Sequence, residues 1–476
     1  MADRAEPQVS LVVPIDTRDG TLTKDSKMVN CFAEQADTGW VAIKRPGTTV
    51  GATVPSGTPQ GIGVHNGGVW AFVNDLIYRI DLGGTPTSTF IPGVTTAGQQ
   101  YQFLSDITIG MSGFKSQSGG WAINVLTISK ITDANYPVLT CKGAAWLNGT
   151  VYVVDTNPAG GRNVLRASAL NDPLTWPPLN FLATSTASGI AVYICNYLTY
   201  VAVFTIYGLQ MYYDAGNATG LPLSPVQSAT WLTGCGNADS VVQIVDDLYF
   251  VSNSKASGYA ISVLRGLTIN KISTPAIDRI VSLQSFSIVS AQGFQTLGHS
   301  FYLIEATLSG SSVALAYDIT TNTWSQWTSY IAGAEVGFVG IHCLTLNQIY
   351  YMQDRISGTC LLLTSTATQD DVGTVRGTQP IYTRIVTKPY DWGTLKRKFM
   401  TAVYFIADTV STTVALSYTD DDYQTFSNPR TIDFSTVKKY GLRFGSSRRR
   451  AWQILHTAAT TFKTYSMEVE IMKSEE

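Results

Sequence analysis

The chain has 476 residues, and only 14% of them are charged, well below the ~25% of an ordinary soluble domain. With 45% hydrophobic residues and 41 glycines, it excludes a long disordered protein, and its shortage of Glu, Lys and Arg speaks against a mostly helical one. A net charge of −2 excludes bulk nucleic-acid binding. The charge is uneven: residues 381–476 hold 14 Lys and Arg against 10 Asp and Glu, a net of +4, which leaves −6 on residues 1–380. This asymmetry predicts a boundary near residue 380.

Residues 1–59, rich in Thr, Gly and Pro, read as an irregular N-terminal arm or platform segment, with no apolar stretch of the secretory type at its start. A repeating unit follows, in which an apolar strand, a short polar turn and an aromatic-rich strand lead into a further strand. It occurs at 61–81 (turn Asn66-Gly67-Gly68), 143–155 (Asn148-Gly149), 241–266 (Asp246-Asp247), 294–327 (Gly298-His299) and 342–364 (Asn347-Gln348). Asn-Gly and similar pairs supply the positive φ of tight hairpins. A degenerate unit at 102–131 and the strands 190–195, 199–204 and 209–213 fill the gaps. Hairpins recurring every roughly 40–50 residues are the mark of a β-propeller, here of six to seven blades over residues 60–366. A β-sandwich array is the alternative. Residues 173–213 carry no charge and approach a membrane span in hydropathy, yet Asn196, Thr199, Thr205 and Gly208 interrupt them. They suit a sheet buried on both faces, not membrane insertion.

A polar linker (367–379) precedes a C-terminal β domain (380–476), with strands expected at 381–387, 400–406, 413–418, 451–457 and 464–471. No amphipathic helix longer than about three turns is expected. The fold class is therefore all-β: a propeller, an additional C-terminal β domain and the N-terminal arm.

Catalytic signatures are scarce. HExxH, P-loop, GxSxG and CxxC patterns do not occur, and Gly61 and Gly63 begin a hairpin, not a dinucleotide loop. Six scattered cysteines read as buried reduced thiols, and His65, His299, His342 and His456 as structural residues. No cofactor or metal is expected. Asp246, Asp247 and Asp354 are the acids a glycoside-cleaving or carbohydrate-binding propeller, the alternative function, would use. The string Thr419-Asp420-Asp421-Asp422-Tyr423-Gln424-Thr425-Phe426 resembles the Asp-box turn, Ser-x-Asp-x-Gly-x-Thr-Trp. Tyr423 replaces the glycine and Phe426 the tryptophan. Thr419, Asp421, Thr425 and Phe426 are its expected structural residues. Two basic clusters stand out: Lys396, Arg397 and Lys398; and Lys438, Lys439 and Arg443 with Arg448, Arg449 and Arg450. They read either as solvated strand ends or as a subunit interface or phosphate-contacting rim. Three adjacent arginines cannot share one face of a strand.

Several landmarks together resemble a known family. Asn30-x-x-x-Glu34 is followed by Arg45-Pro46-Gly47; later come the Gly-Leu-Gln-Met-Tyr-Tyr-Asp-Ala-Gly run ending at Gly216, Tyr317-Asp318 leading to Trp324 and Trp327, the Asp-box string and the Arg448–Arg450 run. In this order they resemble the packaged-DNA stabilisation proteins of short-tailed bacteriophages, also called tail hub or nozzle proteins. The resemblance implies a non-enzymatic virion protein of the tail, synthesised in the host cytoplasm. It implies a homo-hexameric ring below the portal and head-to-tail adaptor. Such a ring retains packaged DNA, passes double-stranded DNA and anchors a tail fibre, tailspike or needle.

Overall fold

The computed structural model describes the chain except for residues 1–3, 23–24, 38, 66, 83–86, 91–99, 107–109, 116–118, 125–126, 138–140, 157–162, 185–188, 218, 372–376 and 474–476. Residue Asn66 of the first expected turn thus lies outside the described residues. So do residues 372–376 of the expected linker.

Alternating apolar residues separated by tight turns produce seven antiparallel blades among the described residues. Blade 1 runs from Pro59–His65 to Thr87–Phe90, blade 2 from Tyr101–Asp106 to Thr127–Lys130, and blade 3 from Ala145–Leu147 to Phe181–Ala183. Blade 4 contains Ala191–Tyr197, Tyr200–Thr205, Leu209–Asp214 and Leu223–Trp231, which absorb the uncharged run. Blade 5 is built around Asp247–Ser254 and Gly258–Arg265. Blade 6 contains Phe286–Thr296, His299–Leu308, Ser311–Asp318 and Thr323–Ile331. Blade 7 contains Gly340–Leu346, Ile349–Asp354 and Cys360–Thr364. The first strand of blade 7 touches the first strands of blades 1 and 6, so the ring closes. At the turns, Asn148 and Gly149 have φ of 50° and 81°, and Asn347 and Gln348 have 50° and 63°, the left-handed pairs such hairpins need.

The N-terminal residues are more ordered than expected. Among the described residues, six short strands lie between Arg4 and Ala52. Gly47–Ala52 supplies the fourth strand of blade 7, in register with Cys360–Thr364. This closure joins the two ends of the repeat array, a pairing between residues some 310 apart that no local pattern announces. The expected linker also contains structure: Gln369–Asp371 pairs with Thr378–Pro380.

The C-terminal residues build a sandwich with help from the N-terminus. Its first sheet continues blade 6: Thr323–Ile331 meets Lys27–Val29 in a parallel bridge, followed by Thr383–Val386, Ala451–His456, Thr413–Thr419 and Arg430–Asp433. Its second sheet has the order Cys31–Ala36, Gly39–Lys44, Lys463–Lys473, Lys398–Ala407, Lys439–Ser447. Met28, Leu416, Trp452 and Ile454 from one sheet pack with Ala33, Met400, Phe405, Phe444 and Val469 from the other in a single core. The described residues include one α-helix, Pro275–Val281, capped by Thr274 and begun by a proline. No helix among them is long and apolar enough to cross a membrane.

Candidate functional site

The N-terminal motif forms the joint between propeller and sandwich. Asn30 has a φ of 56°, which brings its amide to the centre of three segments. Its Nδ2 donates to Thr328 Oγ1 (2.7 Å) and Tyr382 O (2.8 Å), and its Oδ1 accepts from Thr328 N (2.7 Å) and Arg45 Nε (2.9 Å). Arg45 is 1% exposed. Its guanidinium donates to both oxygens of Asp370 at 2.9 and 2.6 Å and to the carbonyls of Pro46 and Thr328. It also stacks over Phe338, 4.8 Å from the ring centre. A bidentate pair that dry must have its remaining donors satisfied, and this one has. Gly47 follows because a Cβ there would lie 1.9 Å from Gln369 O. Glu34 reaches the other side of the joint, with Oε2 3.8 Å from His299 Nε2 in blade 6 and Oε1 3.7 Å from Lys463 Nζ in the sandwich. His299 Nδ1 lies 2.8 Å from Asp318, whose carboxylate also accepts from Thr320 N and Thr321 Oγ1. Burial opposes charge on His299, but Asp318 and Glu34 outweigh it and its pKa is raised. A cleft of about 590 Å³ opens beside this joint, walled by Phe32, Glu34, Ile43, Asp408, Phe462 and Lys463.

The Tyr317-Asp318 motif is the closing turn of blade 6. The Tyr317 hydroxyl donates to Asn322 Oδ1 at 2.8 Å, and Trp324 Nε1 donates to Ile272 O at 3.1 Å.

The basic clusters do not form one surface. Lys398 is buried, with its ammonium donating to Thr394 O (2.6 Å) and Lys396 O (2.8 Å). Lys439 is buried, 3.1 Å from Thr409 Oγ1. Arg450 is 1% exposed; it donates to both oxygens of Asp420 at 2.7 and 2.8 Å and to Phe444 O at 2.6 Å, and it lies over the Tyr418 ring. These three residues are structural elements of the sandwich. Lys396, Arg397, Lys438, Arg443, Arg448 and Arg449 are exposed. Arg448 donates to Leu395 O (3.0 Å), Arg449 pairs with Asp422, and Lys438 lies 5.4 Å from the ring centres of both Tyr404 and Tyr440. The three arginines fall in the bend between strands Lys439–Ser447 and Ala451–His456, where Arg450, bridged to Tyr390, turns inward and its two predecessors do not.

The Asp-box string is a turn held by one carboxylate. Asp421 Oδ1 accepts from Thr419 Oγ1 (2.7 Å), Gln424 N (3.1 Å) and Thr425 N (3.0 Å), and Oδ2 accepts from Thr425 Oγ1 (2.5 Å). The Thr425 hydroxyl and amide, then Thr419, hold its pKa down to about 2. Tyr423, in the glycine position, has the φ of 68° that a glycine would favour. Its ring is buried and its hydroxyl donates to Thr387 O at 2.9 Å, which offsets a backbone cost of ~1–2 kcal/mol. Phe426 remains 38% exposed.

Two of the three acids a glycosidase would use are occupied differently, and Asp246 is exposed in its turn. Asp247 pairs with Arg265 at 2.7 Å, and Asp354 is fully buried, accepting from Ser357 N at 2.8 Å. No cluster of three His, Cys, Asp or Glu able to hold a metal occurs among the described residues. Asn30, Arg45 and Asp370 were not candidates from sequence. Asn30-x-x-x-Glu34 and Arg45-Pro46-Gly47 were the local traces of the first two, and Asp370 had none.

The family model described as bacteriophage P22 Gp10, β-propeller, matches residues 30–368, well over half of the chain. The chain belongs to this phage-stabilisation family. The match begins at Asn30, covers Arg45 and the propeller, and stops just before Asp370. As a member, the protein is a bacteriophage structural β-propeller. A search of curated proteins finds no match. Among solved structures, the WD40 domain of Neurospora crassa Pan2 is 9% identical over 71% of this chain and 98% of its own, with a TM-score of 0.41. The computationally designed Ika8 protein is 11% identical over 67% and 99%, with a TM-score of 0.39. BamB from Moraxella catarrhalis is 11% identical over 75% and 99%, with a TM-score of 0.34. Overlaps this loose say nothing about function.

Proposed function

We propose that this member of the phage-stabilisation family is a tail hub, or nozzle. Six copies would close a ring below the portal and adaptor of a short-tailed phage. The ring extends the DNA channel, retains the packaged genome and anchors a tail fibre, tailspike or needle. It works as a virion tail component after synthesis in the host cytoplasm, without catalysis or a cofactor. The observation that carries this is the family match over residues 30–368. The geometry supports it. The Arg45–Asp370 joint and the blade 7 closure brace the propeller against the sandwich, as a part under internal pressure requires. A ring is a heterologous, closing assembly in which each subunit presents two different faces.

The test is assembly on the adaptor. Purified protein mixed with adaptor complexes is expected to give a ring by negative-stain microscopy and a discrete oligomer by native mass spectrometry. A protein that stays monomeric and ignores adaptor complexes would overturn the proposal.

A further inference from the structure

Over strands Lys398–Ala407 and Lys439–Ser447, the second sandwich sheet has one face in the core and one face open, whereas Phe32 and Ile43 at its other end pack on the propeller. Register puts the open-face residues in rows: Phe399 opposite Met472, Tyr404 opposite Tyr440 and Glu468, and Ile406 opposite Ser466. Phe399, Ile406, Tyr440, Leu442 and Met472 are 48, 43, 47, 51 and 36% exposed. Their alternation with buried Met400, Phe405, Phe444 and Ile471 places them on the open side. Large side chains this exposed leave on the order of 400 Å² of contiguous apolar surface, in the range that marks an interaction site. That would form the apolar centre of a standard interface side of ~800 Å².

The charge around this patch is divided, basic along one strand and acidic along another. Lys438 and Arg443 are exposed on the side of strand Lys439–Ser447, and Arg397 is exposed at the start of the central strand Lys398–Ala407. On the opposite side, strand Lys463–Lys473 brings Glu468, opposite Tyr404, and Glu470, opposite Ala402, to the same face, and Glu468 accepts from Gln8 Nε2 at 3.3 Å. The basic rim suits an acidic partner, and residues 1–380 of the same chain carry a net charge of −6. The edge of the sheet is a poor docking site. Arg443 and Gly445 have φ of 64° and 74° at an irregularity in the ladder, and Arg430 caps the Leu442 carbonyl. A bulge of this kind blocks strand addition, so a partner must meet the face.

We infer that the open face of the sandwich, centred on Tyr440 and Leu442 with Lys438 and Arg443 at its rim, docks on the acidic N-terminal body of a second copy. The inference rests on the ring proposed above and names one of its two contact faces. Wild type, Leu442→Asp with Tyr440→Ser, and Arg443→Glu with Lys438→Glu are compared by sedimentation and native mass spectrometry, with thermal melts as the control for folding. Wild type is expected to assemble, and to need about tenfold more protein for half-assembly when salt rises from about 0.05 to 0.5 M. The apolar variant is expected to stay monomeric with an unchanged melt. The charge variant is expected to weaken assembly and lose its salt dependence. If both variants assemble like wild type, the face is wrong while the ring stands. If wild type stays monomeric with and without adaptor, the ring and the face fall together.

Discussion

At the scale of single residues, the buried ion pairs do different work from what a run of cations suggests. The side chains of Arg45 and Asp370 are 0 and 1% exposed, so removing one partner strands the other charge in the core. Arg45→Met is expected to cost about 3–5 kcal/mol in denaturant unfolding. Arg448→Glu with Arg449→Glu is expected to cost less than ~1 kcal/mol, because both lie in solvent. Equal losses would refute this division. Reversal of all three arginines would destabilise the fold through Arg450, and would not report on an interface. His299 gives a pH test. Its folded pKa is raised above the usual value, so its contribution is complete below about pH 6.5 and is lost as pH rises through the folded value. Burial pushes His342 and His456 the other way, down to about 4, so their contribution is present above the usual histidine pKa and is lost as pH falls toward 4. The stability gap between wild type and His299→Gln is expected to narrow from pH 6 to pH 9. A gap that stays constant across that range would mean that folding leaves the His299 pKa unshifted. The four histidines looked structural from sequence, and for His299 nothing local shows that Glu34 lies opposite.

At the scale of elements, the closing strand Gly47–Ala52 decides whether the propeller is a ring. Cys360–Thr364 pairs with it along its length, and Gly47 sits against Gln369 O with no room for a Cβ. Gly47→Ala must displace backbone and is expected to cost at least about 2 kcal/mol. It should also raise hydrogen exchange in Cys360–Thr364 before the other blades. Uniform protection in the variant would show that the closure contributes little. Most blade strands were visible in sequence, because alternation and Asn-Gly turns are local signals. The strands Arg430–Asp433 and Lys439–Ser447 were not expected. Gly441 and Gly445 interrupt the second, and the first is four residues long, too short to show a period. The N-terminal strands were hidden for a related reason: they are short, and their partners come from blades 6 and 7 and from Lys463–Lys473.

At the scale of the whole molecule, charge is unevenly distributed. The propeller region 241–245, 291–295 and 343–345, which lines a cleft of about 590 Å³ between blades 5, 6 and 7, contributes no charged side chain there. A surface that lets DNA pass should not neutralise many phosphates, since each contact adds affinity and salt dependence. The purified protein is expected to bind double-stranded DNA only weakly, with a salt slope well below that of a binder making about six to ten phosphate contacts. A steep slope in a filter-binding or anisotropy titration would contradict this.

The sequence by itself determined the all-β class, the repeated hairpins and the family, because period-two alternation, turn residues and ordered motifs are carried by neighbouring positions. The low charge that first excluded helices and disorder is also legible there. Tertiary structure alone decided that seven blades close through Gly47–Ala52, that the N-terminal residues build part of the sandwich, and that Arg450, Lys398 and Lys439 are internal. These facts depend on pairing between segments hundreds of residues apart and on which side of a strand a charge falls, and a one-residue shift in register would reverse the latter.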